Sequence, residues 1–281
     1  MSFVLGIDVE DWAQSTLDPT LPIFDRAKLN TRRMLELTED TGVKATWFIL
    51  GLFAEKFPEV VREIQEAGHE IACHGYSHLN VFEQSRAEFR SDVTSSKALL
   101  EDIIGAPVTG YRAPFFSLAP AGTWPLDVLA EVGFDYDSSV FPSAIYRNGV
   151  EGIVEGPTRI QLDSGSEIVE LPPATLYRFG RLWPVAGGGY FRLLPRSMVQ
   201  WVVDQAIREN GIFVSYFHPY EIDPDEFSNI PVATTLKTRL HQGLGRRSFE
   251  SKIRRVLNGR TAILARDAAK SVSVCRKLPT S

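Results

Sequence analysis

Two histidines four residues apart, in His74-Gly75-Tyr76-Ser77-His78, have a spacing that suggests chemistry. If the segment turns helically, both imidazoles lie on one face, where they can grip one metal ion. Ordinary hydrogen-bonded histidines at a strand exit would show the same pattern. A catalytic metal also needs a hard oxygen ligand and an open position for water. Asp8-Val9-Glu10-Asp11 offers three carboxylates at the end of an apolar run. Such charges are costly near a core unless something positive sits among them. Strand alternation puts Asp8 and Glu10 on one face, so one can bind the metal while the other stays free as a base. A solvated acidic loop or a helix N-cap box accounts for the same cluster. Three further groups end apolar runs: His218 in Phe217-His218-Pro219, Arg112 in Tyr111-Arg112-Ala113-Pro114, and Asp137 in Tyr136-Asp137-Ser138. A buried Arg112 needs an anionic partner. Polar groups at the ends of five different apolar runs point to one shared rim.

The elements that must carry this rim alternate between β-type and helical patterns, which favours a parallel α/β architecture. Strands are expected at Phe3–Glu10, Ala45–Leu50, Glu70–Cys73, Thr109–Arg112, Tyr136–Ser139, Ile168–Leu171 and Phe213–Phe217. Helices are expected at Leu29–Thr41, Pro58–Ala67, Arg86–Ile104, Leu126–Val132 and Met198–Arg208, several of them closed by glycine. About seven strands suffice for a barrel-like closure with active residues at the carboxyl ends of the strands.

The chain has 281 residues, 44% hydrophobic and 23% charged, a soluble globular composition. Its net charge of −5 argues against a nucleic-acid binder. The mean conceals a split. From Lys237 to Ser281 there are 12 Lys/Arg against Glu250 and Asp267, a balance of +10, whereas residues 1–236 carry −15. One domain over 1–236 and a basic extension over 237–281, helical at Ser248–Leu257, is the expected organisation. The helix packing back on the acidic body and attraction to an anionic membrane leaflet or pyrophosphate-lipid substrate are the two roles open to that extension. Cys73 and Cys275 lie far apart and indicate no disulfide framework. The start of the chain lacks the pattern of a signal peptide, and no apolar run approaches a membrane span. A cytoplasmic protein is the expectation, with peripheral contact at the inner membrane as the alternative open to the tail.

In order along residues 3–220, Lys44-Ala45-Thr46-Trp47-Phe48, Gly68-His69-Glu70-Ile71, His74-Gly75-Tyr76-Ser77-His78, Tyr111-Arg112-Ala113-Pro114 and Phe217-His218-Pro219 resemble the polysaccharide deacetylases of carbohydrate esterase family 4 with a NodB-like domain. Asp8-Val9-Glu10-Asp11-Trp12, Ala186-Gly187-Gly188-Gly189-Tyr190-Phe191-Arg192 and His218-Pro219-Tyr220-Glu221-Ile222-Asp223 are similar to the branch associated with exopolysaccharide and surface-glycan loci. The resemblance implies a distorted (β/α) barrel and a divalent metal, zinc first, with cobalt, nickel or manganese as the other candidates. It implies His74 and His78 as metal ligands, Asp8 as general base, His218 as general acid, Arg112 orienting the base and Asp137 supporting His218. The family's adjacent aspartates are replaced here by Asp8-Val9-Glu10-Asp11, which leaves Glu10 and Asp11 both open as the carboxylate ligand. Trp12, Phe115, Phe116 and Tyr190 are candidates to stack on sugar. The implied reaction is hydrolysis of an N-acetyl amide on an amino sugar of a polysaccharide, a lipid-linked glycan or a precursor. Hydrolysis of another non-peptide C–N bond and a degenerate carbohydrate-binding protein are the alternatives.

Overall fold

The computed structural model describes residues 2–118, 121–150, 154 and 156–277. Its strands are β1 (Ser2–Val4), β2 (Gly6–Val9), β3 (Thr46–Ile49), β4 (Glu70–Cys73), β5 (Gly110–Tyr111), β6 (Tyr136–Asp137), β7 (Thr158–Gln161), β8 (Glu167–Glu170), β9 (Thr175–Arg178), β10 (Arg181–Pro184), β11 (Ile212–Val214) and β12 (Cys275–Lys277). The helices are α1 (Trp12–Thr16), α2 (Asp25–Thr41), α3 (Gly51–Lys56), α4 (Pro58–Glu66), α5 (Arg86–Ile104), α6 (Trp124–Val132), α7 (Gly188–Leu193), α8 (Arg196–Asn210), α9 (Glu226–Asn229), α10 (Leu236–Gly243), α11 (Arg246–Leu257) and α12 (Ala265–Lys270).

Strands β2, β3, β4, β5, β6 and β8 run parallel in one sheet, and β1 pairs in parallel with β11. The first expected strand is divided at Leu5. Val4 O accepts from Ser215 and Leu5 O accepts from Thr46, so this stave binds a neighbour on each side. An Ala174 N–H bond to Val214 O joins the β8 side to β11. All seven expected strands are therefore staves of one distorted barrel. The extra strands lie outside it: β7 folds antiparallel on β8, β9 and β10 form a hairpin, and β12 edges β7.

The helices form where periodicity and caps agree. Helix α5 begins at a Ser85/Glu88 capping box and ends at Gly105, whose φ of +64° suits the left-handed cap. Its inward face buries Phe89, Val93 and Leu100. The basic C-terminal residues are built into the same body. Phe249, Ile253, Val256 and Leu257 of α11 are buried in the main core, beside Phe213 and Phe217. Ile263 N–H donates to Phe3 O, extending the barrel wall past β1. The core thus runs continuously across position 237. Arg33 pairs with Glu250 at 2.7 Å and Arg254 with Asp40 at 3.0 Å, so ion pairs of both polarities join the tail to the body. Lys252 donates to the carbonyls of Phe191 and Arg192 at the end of α7, where a cation meets the negative helix terminus.

Candidate active site

The barrel rim gathers Asp8 and Glu10 from the end of the β2 run, His74 and His78 after β4, Arg112 after β5 and His218 after β11. Asp8 and Glu10 do share the inward face of their strand, and both are buried. Arg112 is fully buried; its Nη1 donates to Asp8 Oδ1 at 2.7 Å and its Nη2 to Ser138 Oγ at 2.9 Å. The guanidinium lies 3.9 Å from the Phe48 ring centroid, so it is stacked as well as paired. Gly6 makes room for it: a Cβ there would stand 2.4 Å from Ser215 O and 2.7 Å from Arg112 Nη1.

Glu10, His74 and His78 bring one ligand atom each within 4.8 Å of one another. Glu10 Oε2 is buried, accepts no hydrogen bond from the described residues, and faces Nε2 of both histidines. His74 Nδ1 donates to Arg112 O at 2.8 Å, which leaves its Nε2 lone pair free for a ligand bond. A buried carboxylate oxygen facing two imidazole nitrogens is a donor set compatible with a divalent cation. Burial alone would raise Glu10; His78, His218 and His74 outweigh it and hold the carboxyl well below the usual range. The backbone here is strained. His78 has φ +62° and Phe115, edge-on to its ring at 4.4 Å, has φ +55°. Such conformations cost about 1–3 kcal/mol each and gather at functional sites.

Asp11 is not part of this cluster. Its Oδ1 accepts from Ala13 and Gln14 to cap α1, and its Oδ2 accepts from the Phe24 N–H at 2.8 Å. With both oxygens occupied by backbone, the carboxylate closest to the histidines is Glu10. Asp137 also departs from expectation. It is buried against Ser139 and Glu170, and does not contact His218. Burial and the neighbouring Asp137 push Glu170 well above the usual carboxylate range.

The residue that meets His218 is Glu221. Its Oε2 lies 3.1 Å from His218 Nδ1, while His218 Nε2 lies 3.4 Å from Glu10 Oε1. Arg192 Nε sits 3.2 Å from the other oxygen of Glu221. Burial alone would lower His218; the charges of Glu10, Glu221 and Asp8 outweigh it and raise it to about 9. Tyr220 stacks on the His218 ring at 4.8 Å and donates to Glu10 Oε1. The glycine-rich segment explains itself here: a Cβ at Gly188 would stand 2.0 Å from Glu221 Oε2. Glu221 stands in the His218–Asp223 motif without a role of its own there, although histidine, proline and a glutamate three positions on form a capping box. That spacing folds the glutamate back onto its own histidine.

The four aromatic candidates divide. Trp12 is buried edge-on against Phe227, and Phe116 packs among Phe141, Tyr146 and Tyr216, so both are core. Phe115 and Tyr190 remain partly exposed. His69, from the same motif region, is structural: its Nδ1 accepts from Ala45 N–H, and burial first, then Lys44, lowers it to about 4.

Residues 20–136 match the polysaccharide deacetylase family, and residues 138–266 match a domain of unknown function (DUF3473). His74, His78 and Arg112 fall in the first region, His218 and Glu221 in the second, and Asp8 and Glu10 before both. The chain is similar to a peptidoglycan deacetylase of Helicobacter pylori, at 34% identity over 108 residues, 38% of this chain and 36% of that protein. It is also similar to a peptidoglycan-N-acetylglucosamine deacetylase of Bacillus cereus, at 35% identity over 85 residues, 30% of this chain and 31% of that protein. The matched region spans about a third of each of these relatives. A solved Mycobacterium smegmatis structure described as a polysaccharide deacetylase shares the fold at TM-score 0.68 and 20% identity, covering 100% of this chain and 93% of that one.

Proposed function

We propose that this chain, a member of the polysaccharide deacetylase family through residues 20–136, is a metal-dependent hydrolase that removes N-acetyl groups from an amino-sugar glycan. The observation that carries the reading is that the Glu10–His74–His78 cluster shares one buried rim with Asp8, held by Arg112, and with His218, whose Nε2 lies 3.4 Å from Glu10 Oε1. Glu10, His74 and His78 would hold the cation, zinc by preference for two imidazoles and one carboxylate, with cobalt, nickel or manganese as substitutes. When bound, such an ion polarises a carbonyl and lowers the pKa of water toward neutrality.

The chain's own groups supply the proton transfers. Asp8, aimed by Arg112 at 2.7 Å, takes the proton of the attacking water. His218, with Glu221 on its Nδ1, donates from Nε2 to the departing nitrogen, because an amine anion cannot leave at neutral pH. Phe115 and Tyr190 remain as surfaces for sugar faces. The exopolysaccharide and surface-glycan motifs noted above support a glycan of that kind as substrate.

Acetate release from N-acetylglucosamine oligomers, with and without a chelator, tests the reading. Equal amounts of acetate and free amine, abolished by chelation and restored by a divalent ion, are expected. Stable protein that binds no metal and releases no acetate from any oligomer would leave a carbohydrate-binding protein. Hydrolysis confined to ring amides or ureides would move the activity to another C–N bond.

A further inference from the structure

Helix α10 is turned inside out for a helix in water. Leu236 and Leu240 lie on one face, with Leu244 following at its C-cap, and their exposures are 72%, 65% and 61%. No residue of the helix is buried, and the side turned toward the body is formed by Thr238, Gln242 and Gly243. An isolated amphipathic helix on a soluble surface places its leucines the other way. Leu193 at the end of α7, 64% exposed, enlarges the patch. It adjoins Leu244 because Arg192 donates toward Gln242 O and Leu244 O, and Gly245 packs on the Arg192 carbonyl.

Charge decides what covers these leucines. From Asn229 to Phe249 there is no aspartate or glutamate, and Lys237, Arg239 and Arg247 are exposed. Among the described residues none of these three cations forms an ion pair. Arg246, the remaining cation of the stretch, is buried and donates to Tyr220 O and Asp223 O. Exposed leucines ringed by unpaired cations are the composition of a segment that lies in the interface of an anionic bilayer. The patch is also tied to the reacting end of the barrel. Arg246 holds the carbonyl of Tyr220, which stacks on His218, and Arg192 bridges Gln242 to Glu221.

We propose that α10, together with Leu193 and Leu244, is a docking surface for an anionic lipid bilayer and holds the mouth of the barrel at the membrane. This narrows the expected basic-tail contact to one helix. It stands apart from the catalytic reading, because membrane binding and acetate release are measured separately. The other tail cations, Lys252, Arg254 and Arg260, are engaged within the fold.

Flotation of the full chain with vesicles tests it, comparing phosphatidylcholine alone with an equal mixture of phosphatidylcholine and phosphatidylglycerol. Binding to the mixed vesicles alone, weakened by salt, is expected. Each cation near such a surface strengthens partitioning roughly fivefold, so Lys237→Glu, Arg239→Glu and Arg247→Glu together should lower it by at least about a hundredfold. Leu236→Ser, Leu240→Ser and Leu244→Ser should lower it by at least about tenfold, with acetate release from a soluble oligomer unchanged. The proposal is overturned by a wild-type chain that does not bind mixed vesicles, or by both variants binding as wild type does. It is equally overturned if the serine variant turns a dimer into a monomer and vesicle binding is absent, which would make the face a contact between copies.

Discussion

Glu221 Oε2 lies 3.1 Å from His218 Nδ1, three residues away on the same turn. The carboxylate that fixes the imidazole therefore comes from the histidine's own segment. Removing it has a signed consequence. In the proposed reaction His218 works protonated, so activity falls as pH rises through its folded pKa, which Glu10, Glu221 and Asp8 raise against burial. Glu221→Gln takes away one raising charge and should move the falling limb of the kcat profile to lower pH, by roughly one unit. An unmoved limb would show that Glu221 does not tune the acid.

Gly188→Ala should imitate that loss without touching either charged residue. Its Cβ would stand 2.0 Å from Glu221 Oε2, so the carboxylate must leave its place or the α7 start must shift. A fall in kcat comparable to that of Glu221→Ala, with metal content retained, is expected. Full activity in purified Gly188→Ala would contradict the packing.

Metal content separates the two adjacent acids. Glu10→Gln, His74→Ala and His78→Ala should each reduce bound metal in a dialysed sample. Asp11→Ala should keep it while lowering stability by about 1–2 kcal/mol, the cost of a lost helix cap. Elemental analysis beside a denaturant titration reads both, and metal loss confined to Asp11→Ala would reverse the assignment.

The Asp8–Arg112 pair predicts losses in both activity and folding. Asp8→Asn should lower kcat by roughly 10²–10⁴. Asp8→Asn and Arg112→Ala should each cost about 3–5 kcal/mol, because each strands a buried charge. Urea unfolding reads both; wild-type stability in either variant would mean that the guanidinium and the carboxylate do not compensate one another.

Leu257→Ala tests whether the basic tail is part of the domain. The residue is wholly buried in the main core, and such truncations cost about 2–5 kcal/mol. A melting temperature like that of wild type would restore the picture of a separable appendage.

The barrel was legible because its signals are local. Each stave is an apolar run, and helices such as α5 carry both a capping box and a terminal glycine. Most rim residues were legible for the same reason, since Asp8, Glu10, His74, Arg112 and His218 each end such a run. The sequence leaves matters open, or points elsewhere, where candidates differ only in three-dimensional partners. Asp11 and Glu10 are neighbours in the chain, but α1 begins at one of them and claims its oxygens for backbone N–H groups. Asp137 ends a strand as its neighbours do, yet its side chain turns to Ser139 and Glu170. Trp12 and Phe116 look like sugar platforms by position, but the surrounding aromatic rings bury them.

The pairing of β1 with β11 joins Ser2 to Ile212, Phe3 to Phe213 and Val4 to Val214. Contacts so distant in the chain close late and slowly. During synthesis the first strand leaves the ribosome long before its partner exists, and its open edge must be shielded from aggregation meanwhile. Asp8 rides on that early segment and His218 follows the late one. The two groups proposed as base and acid therefore meet only when the barrel shuts, and a chain still lacking β11 holds one without the other.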